Sequence, residues 1–122
     1  MGLDQELYAV YPDGWECYIR EWRKNHLLRT CIRTLVPSYE DNGTNTMSRQ
    51  DLDDVVVALE RWRRDGDGPT VDTPDCWYKN LMGSDDAEGL WTFEEQREQA
   101  LAGLREAASH LDADTFRYWE WY

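Results

Sequence analysis

The segment Trp91–Tyr122, WTFEEQREQALAGLREAASHLDADTFRYWEWY, decides the fold because it carries the clearest signals for a helix and a strand. Thr92 and Glu95 have the spacing of a capping box, in which two side chains satisfy backbone N–H groups of the first helical turn. Apolar residues then recur at three- and four-residue steps, up to a break at Asp112-Ala113-Asp114. The predicted buried face consists of Phe93, Ala100, Leu101, Leu104, Ala107, Ala108 and Leu111.

The residues after this helix predict a β-strand. Thr115–Tyr122 is rich in β-branched and aromatic residues, and most of its large side chains are too bulky to leave in water. Alternation places Tyr118 and Glu120 on one face of the strand, and Trp119 and Trp121 on the other. We interpret the strand as part of the core. The alternative is that one of its faces, or the terminal carboxylate, contacts a partner.

The first part of the chain predicts one strand and one long helix. Glu6–Tyr11 is a short aromatic and β-branched run, which Pro12-Asp13-Gly14 ends as a turn. A broad helical face then runs from residue 15 to residue 35, and Pro37 ends it. That face consists of Trp15, Tyr18, Ile19, Trp22, His26, Cys31, Ile32 and Leu35. The basic residues off the face are predicted to be solvated, because no Gly-rich loop precedes them as a phosphate site requires. They are Arg20, Arg23, Lys24, Arg29 and Arg33.

The middle of the chain predicts a second helix between two loops. The first loop turns at Asn42-Gly43, a pair that would also suit a hairpin. Ser48 and Asp51 then predict a capping box. The apolar stripe of this helix consists of Leu52, Val55, Val56, Leu59 and Trp62. The helix is predicted to end at residues 65–69, and residues 70–90 to form an ordered loop containing one short strand or helical turn.

These elements predict a single α+β domain over residues 1–122. Three helices pack on one side of a small sheet, to which the N-terminal and C-terminal strands contribute. A chain of 122 residues has room for one core and not for two. Long outer strands would also allow pairing across a homodimer.

The charge is unevenly distributed along the chain. The net charge is −12; residues 1–36 contain five acidic and five basic residues, whereas residues 37–122 contain 20 acidic and 8 basic residues. Such a field repels nucleic acids and acidic membranes and attracts basic protein surfaces. The sequence therefore predicts a protein partner with a basic surface, without direct binding to nucleic acid or membrane.

The residues that could bind a metal or act as nucleophiles are scattered. The three cysteines, Cys17, Cys31 and Cys76, and the two histidines, His26 and His110, show no ligand spacing such as Cys-x-x-Cys. We therefore predict no metal site, no cofactor and no catalytic residues. No secretory signal is present, and no apolar run approaches the ~20 residues of a membrane helix. These features indicate a reduced, cytoplasmic protein with free thiols.

The acidic residues of the last two predicted helices and of the loop between them are the candidate partner-binding residues. They are Asp51, Asp53, Asp54, Asp85, Asp86, Glu88, Glu94, Glu95 and Glu98. The commoner explanation of such residues is a soluble acidic surface. A functional alternative is that they imitate the phosphates of a nucleic-acid duplex, which carries about one charge per 1.7 Å of axis.

Four short motifs follow one another along the chain. They are an initial Met1-Gly2-Leu3-Asp4 before a tyrosine-containing strand, Trp22-Arg23-Lys24-Asn25-His26, Ser48-x-x-Asp51-Leu52, and an acidic third helix followed by an aromatic strand. In this order they resemble a family of small bacteriophage proteins whose activity is not established. The resemblance implies a phage or prophage origin and an α+β fold, and it implies no catalytic residues. It places the protein in the cytoplasm of the host bacterium.

The leading functional hypothesis is a non-enzymatic phage accessory protein that binds a host or defence protein through its acidic surface. It could act as a nucleic-acid mimic or as an inhibitor of a CRISPR or restriction complex. One alternative is a small enzyme whose site lies near residues 70–90, beside Trp22, His26 and the terminal aromatic residues. A pocket with a strongly perturbed histidine or carboxylate would favour that alternative. Another alternative is a virion or structural oligomer.

Overall fold

The computed structural model describes residues 3–62 and 92–121 and confirms the α+β class. These residues form four strands and three helices. In chain order they are β1 (Asp4–Val10), β2 (Glu16–Arg23), α1 (His26–Leu35), β3 (Thr44–Ser48), α2 (Arg49–Arg61), α3 (Phe93–Ala108) and β4 (Thr115–Trp121). The strands form one antiparallel sheet in the order β2-β1-β4-β3, and the three helices cover one of its faces.

The two central strands come from opposite ends of the described chain. β1 pairs with β4 along its whole length, with Asp4 opposite Trp121 and Val10 opposite Thr115. Alternate residues of both strands are buried against the helices. The prediction that the N-terminal and C-terminal strands share one sheet is therefore confirmed, and these strands form its centre.

The prediction of one helix over residues 15–35 is wrong in its first half. Residues 16–23 form β2, which pairs with β1 through a turn in which Gly14 has a φ of 92°. The strand contains a bulge, because Leu7 pairs with Arg20 while Tyr8 pairs with Tyr18. The extra residue allows two side chains three positions apart, at 19 and 22, to be buried together. That spacing is also typical of a helix.

The first helix begins only at residue 26. Lys24 has a φ of 58°, a left-handed conformation that interrupts the extended chain. Asn25 then caps the helix by accepting a hydrogen bond from the backbone N–H of Leu28. The second half of the predicted helical face is confirmed, since Cys31 and Ile32 are fully buried.

Both predicted capping boxes are confirmed. Ser48 and Asp51 cap α2, and Thr92 and Glu95 cap α3, in each case through reciprocal hydrogen bonds between side chain and backbone. The predicted stripe of α2 is buried apart from Val56, which is half-buried. The helix ends at residue 61, before the predicted boundary at 65–69, which lies outside the described residues together with the loop 70–90.

The end of the chain is less buried than predicted. α3 stops at residue 108, so Leu111 is not on its buried face and is 83% exposed. In β4 the predicted alternation is confirmed, because Tyr118 and Glu120 are fully buried. Trp121 points to the other side and is 56% exposed. The interpretation of β4 as a core strand therefore holds for the face that carries Tyr118, and Trp121 on the other face is exposed.

A single glycine lets α3 approach the sheet closely. A Cβ atom on Gly103 would lie 2.4 Å from Cζ2 of Trp22 and 3.0 Å from Cδ of Arg20. Trp22 in turn donates from its indole N–H to the backbone oxygen of Gln99, one turn earlier on the helix, at 2.9 Å. Together, the missing Cβ and this hydrogen bond fix α3 against β2.

Candidate functional site

The acidic residues predicted to bind a partner occupy two separate regions of the helical layer. α2 and α3 are antiparallel: Arg49 at the start of α2 donates to the oxygen of Ala108 at the end of α3, and Arg97 near the start of α3 donates to the oxygen of Trp62. Asp51, Asp53 and Asp54 therefore lie at one end of the pair, and Glu94, Glu95 and Glu98 at the other. The 13 residues of α2 make this helix about 20 Å long, which is the distance between the two ends of the pair.

Several of these acidic side chains already have a structural role. Asp51 and Glu95 complete the two capping boxes. Glu94 forms an ion pair with Arg97 at 2.6 Å. Asp53 and Glu98 are exposed on α2 and α3. The remaining predicted partner-binding residues, Asp85, Asp86 and Glu88, lie outside the described residues.

Most described arginines are directed at groups of the protein itself. The Arg49 guanidinium donates to the backbone oxygens of Ala108, His110 and Ala113 at 2.7–3.1 Å. Further ion pairs join Arg23 to Asp4, Arg97 to Glu94, Arg105 to Glu60, and Arg117 to Glu16. Arg20 donates to the side-chain oxygen of Gln99 at 2.8 Å. The fold therefore uses much of the positive charge internally.

The expectation that all basic residues near the first helix are solvated is wrong for Arg29. Its side chain is 8% exposed, and its guanidinium donates to Glu120, which is fully buried, at 3.2 Å. A second bond reaches Asp41 at 3.0 Å. Arg29 is thus the buried counter-ion of a carboxylate in β4, one of the two central strands of the sheet.

Two tyrosines complete the surroundings of this buried carboxylate. Tyr118 donates to Oε1 of Glu120 at 2.8 Å, and Tyr39 donates to Oε2. Burial, together with the hydrogen bonds to Glu120 and Asp41, raises the pKa of Tyr39. Burial and the charge of Glu120 likewise raise the pKa of Tyr118. Both hydroxyls therefore remain protonated donors at neutral pH.

The buried polar network continues from Tyr118 to α1 and α3. Gln5 donates to the Tyr118 hydroxyl and to the backbone oxygen of Asn25, both at 3.0 Å, and accepts from the backbone N–H of Asn25. The Asn25 amide then donates to the backbone oxygen of Gln96 at 3.0 Å. The network holds β1, β4, α1 and α3 in register. In the sequence, this network is indicated by Glu120, an acidic residue that alternation places on the same strand face as Tyr118.

The face of the sheet away from the helices, here named the outer sheet face, carries aromatic and acidic side chains. The alternation and register of the strands assign it fifteen residues. They are Asp4, Glu6, Tyr8, Val10, Glu16, Tyr18, Glu21, Arg23, Thr44, Thr46, Ser48, Thr115, Arg117, Trp119 and Trp121. Tyr18 is 50% and Trp121 56% exposed, whereas Tyr8 and Trp119 are half-buried.

Tyr8 lies at the centre of this face. The Arg117 guanidinium is 4.2 Å from the Tyr8 ring centroid, and the Tyr18 ring packs edge-on against Tyr8 at 5.7 Å. The Tyr8 hydroxyl donates to Glu6 at 2.7 Å, and this bond together with burial raises the pKa of Tyr8. Arg117 also forms an ion pair with Glu16. The centre of the face is thus an ordered arrangement of rings and charges.

Two acidic residues oppose each other directly on the outer sheet face. Glu6 of β1 is the register partner of Glu21 of β2, and on its other side Glu6 faces Trp119 of β4. Like charges in such a cross-strand position are destabilising. The two basic residues of this face, Arg23 and Arg117, are paired with other acids. In the part of the chain that the structure describes, neither glutamate forms an ion pair.

The described surface has shallow depressions. One of about 590 Å³ is lined by Tyr11, Pro12, Asp13, Trp15, Cys17 and Asp112. Another, of about 230 Å³, is lined by Glu21, Trp22, Arg23, Asn25 and Gln99. Cys17 and Cys31 are free thiols, and burial raises the pKa of Cys31. Among the described residues, no group of three His, Cys, Asp or Glu side chains could hold a metal ion.

His26 is a residue of the hypothetical enzyme site that the structure describes, and its pKa is perturbed. Burial, with the positive charges of Arg29 and Lys24, lowers its pKa from 6.5 to about 4. A perturbed histidine within a pocket would favour the enzyme hypothesis, but His26 lines neither depression described above. The remainder of that hypothetical site, residues 70–90, lies outside the described residues.

Comparison with protein-family models, curated proteins and solved structures finds no match for this chain. The phage resemblance therefore stays a prediction. Within residues 3–62 and 92–121, no helix combines the length and apolar content that crossing a bilayer requires.

Proposed function

We propose that the protein is a non-enzymatic accessory protein that acts by binding a partner protein with a basic surface. The observation that carries this proposal is that several arginines donate their hydrogen bonds to acceptors within the protein itself. Arg29, Arg49 and Arg97 donate to buried or backbone acceptors, while Asp53 and Glu98 stay exposed. The surface that a partner meets is then strongly acidic, with a net charge of −12 for the chain. The phage resemblance makes a host or defence protein the expected partner.

The first experiment is a pull-down of the tagged protein from a bacterial lysate at increasing salt. We expect a basic protein to be retained at low salt and released as salt rises, because screening shortens the range of the acidic field. Light scattering on the purified protein, run in parallel, tests whether it forms a large structural oligomer instead. A partner retained equally at all salt concentrations would contradict the electrostatic basis of the proposal.

Duplex DNA added as a competitor separates two forms of the same function. A partner displaced by DNA uses one basic site for both ligands, which would support nucleic-acid mimicry. Acidic groups stand towards both ends of the α2–α3 pair on one helical layer, where a basic site that binds a duplex could contact them. A partner that stays bound in excess DNA would be recognised elsewhere on its surface, and mimicry would be rejected.

A charge-reversal variant tests the field directly. Asp53→Lys, Asp54→Lys and Glu98→Lys together halve the net charge of −12 and avoid the capping residues Asp51 and Glu95. We expect the association rate with the captured partner to fall about tenfold or more at low salt, since steering depends on the summed charge. Surface plasmon resonance measures this rate.

The matched control carries Asn, Asn and Gln at the same three positions. It changes the net charge by half as much, so its association rate should fall between those of the other two proteins. Circular dichroism checks that all three are folded. Equal association rates for the three proteins would refute the proposed function.

A further inference from the structure

We propose that the outer sheet face is the docking surface for this basic partner, and that the partner presents an arginine or lysine side chain to Glu6, Glu21 and Trp119. The inference rests on the proposed function, because it states where on the molecule the basic partner is held. The occupant is a segment of another protein that carries an exposed cationic side chain.

Aromatic side chains provide the contact area for such a segment. Tyr18 and Trp121 are 50% and 56% exposed on a sheet face that no described helix covers. Trp and Tyr contribute large contact areas with little loss of conformational entropy, and they are enriched among the residues that dominate binding energies. The half-buried rings of Tyr8 and Trp119 extend the same surface towards its centre.

The distribution of charge on this face favours a cation over an anion. The outer sheet face carries four acidic residues and two arginines. Each arginine already forms an ion pair with one of the acids, Arg23 with Asp4 and Arg117 with Glu16. Glu6 and Glu21 are left opposite each other across β1 and β2. A cation bound between them would replace a repulsive cross-strand pair by two attractive contacts. An acidic or nucleic-acid segment would add to the repulsion.

Trp119 makes a cationic side chain a better occupant than a free metal ion. It is the register neighbour of Glu6, on the side opposite Glu21. Neighbouring strands are about 4.8 Å apart, so a cation held by Glu6 lies within reach of the indole face. A guanidinium can stack on an indole while its N–H groups bind carboxylates, which suits arginine best.

Backbone-amide NMR locates the docking surface. The ¹⁵N-labelled protein is titrated with a short arginine-rich peptide, with a glutamate-rich peptide of equal length as control. We expect the arginine-rich peptide to shift amides of β1, β2 and β4 and the indole N–H of Trp119. Shifts confined to α2 and α3 would overturn this inference and leave the proposed function standing. If the arginine-rich peptide shifts no signal and the lysate yields no basic partner, both fail.

A pair of charge-neutralising variants then tests the two glutamates. Glu6→Gln with Glu21→Gln keeps the size of both side chains and the acceptor for the Tyr8 hydroxyl. We expect the dissociation rate of the captured partner to rise about tenfold, because short-range contacts act mainly on dissociation. The matched control, Glu40→Gln with Glu106→Gln, removes the same charge from exposed positions off this face. Equal dissociation rates for the two variants would overturn the inference.

Discussion

At the scale of single residues, the carboxylate of Glu120 is held in place by burial and by several hydrogen bonds. It is fully buried and accepts hydrogen bonds from Arg29, Tyr39 and Tyr118. A buried ion pair adds little net stability by itself, but removing one partner leaves a buried charge uncompensated. The structural importance of Glu120 should therefore appear only when it is replaced alone.

Glu120→Gln tests this point. We expect the free energy of unfolding to fall by about 3 kcal/mol, because the Arg29 guanidinium loses its buried counter-ion. Urea denaturation followed by tryptophan fluorescence measures the change. The control is Asp41→Asn, which removes the more exposed partner of Arg29 and should cost about 1 kcal/mol or less. A Glu120→Gln protein as stable as the Asp41→Asn protein would show that the buried charge is compensated in another way.

The protonation of His26 is tied to the fold. Its pKa is lowered from 6.5 to about 4, chiefly by burial and then by Arg29 and Lys24. The unfolded chain therefore binds a proton at a higher pH than the folded chain does. The contribution of His26 to the stability of the folded protein is therefore fully present above about pH 6.5, where the imidazole is neutral in both states. It is lost as the pH falls towards 4.

The pH dependence of unfolding tests this assignment. Between pH 6.5 and pH 4, the loss due to His26 alone is at most about 3 kcal/mol, at 1.36 kcal/mol per pH unit. We expect the stability of a His26→Gln variant to fall less steeply than that of the original protein over this range. Urea titrations at a series of pH values give both curves. Parallel curves would show that His26 binds its proton equally well in the folded and unfolded chain.

At the scale of elements, the contact between α3 and β2 depends on the absence of a side chain. Gly103→Ala would favour the helix by up to about 1 kcal/mol, but the new Cβ meets the Trp22 ring at 2.4 Å. We expect a net loss of about 1–3 kcal/mol in the free energy of unfolding, since overpacking a tight contact forces a shift of backbone or rotamers. Thermal and urea unfolding measure it.

A double-mutant cycle isolates the cause of this loss. In a Trp22→Leu background the ring is absent, so Gly103→Ala should become neutral or stabilising. Ala102→Ser, at the neighbouring exposed position of α3, serves as the control for substitution in this helix. If Gly103→Ala costs the same with and without Trp22, the clash is not the reason that glycine stands at this position.

The sequence predicts the elements whose signals are local. The capping boxes at Ser48 and Thr92, and the alternation in β4, depend on residues within a few positions of one another. β2 was not predictable in this way, because its bulge gives Ile19 and Trp22 a helical spacing. A bulge exists only relative to the strand that pairs with it. The periodicity of one segment carries no information about that pairing.

At the scale of the whole molecule, the candidate site was only partly predictable. The sequence predicts an acidic surface, and it places Trp119 and Trp121 on one side of a strand. The sequence does not show that α2 and α3 are antiparallel. This arrangement places the acidic first turns of the two helices at opposite ends of the pair. Nor does the sequence reveal that Glu6 and Glu21 are neighbours, because that pair exists only in the register of β1 and β2. Long-range pairing decides both features.

The position of β1 beside β4 has a consequence for synthesis of the protein. The strand that completes the centre of the sheet, β4, is synthesised after the other described strands, so the β1–β2 hairpin must wait for it. During that time the inner residues Leu7 and Ala9, both fully buried in the final fold, lack the neighbouring strand β4. Contacts of such large sequence separation slow folding. The nascent chain is therefore a natural client for chaperones that hold apolar segments until β4 has been synthesised.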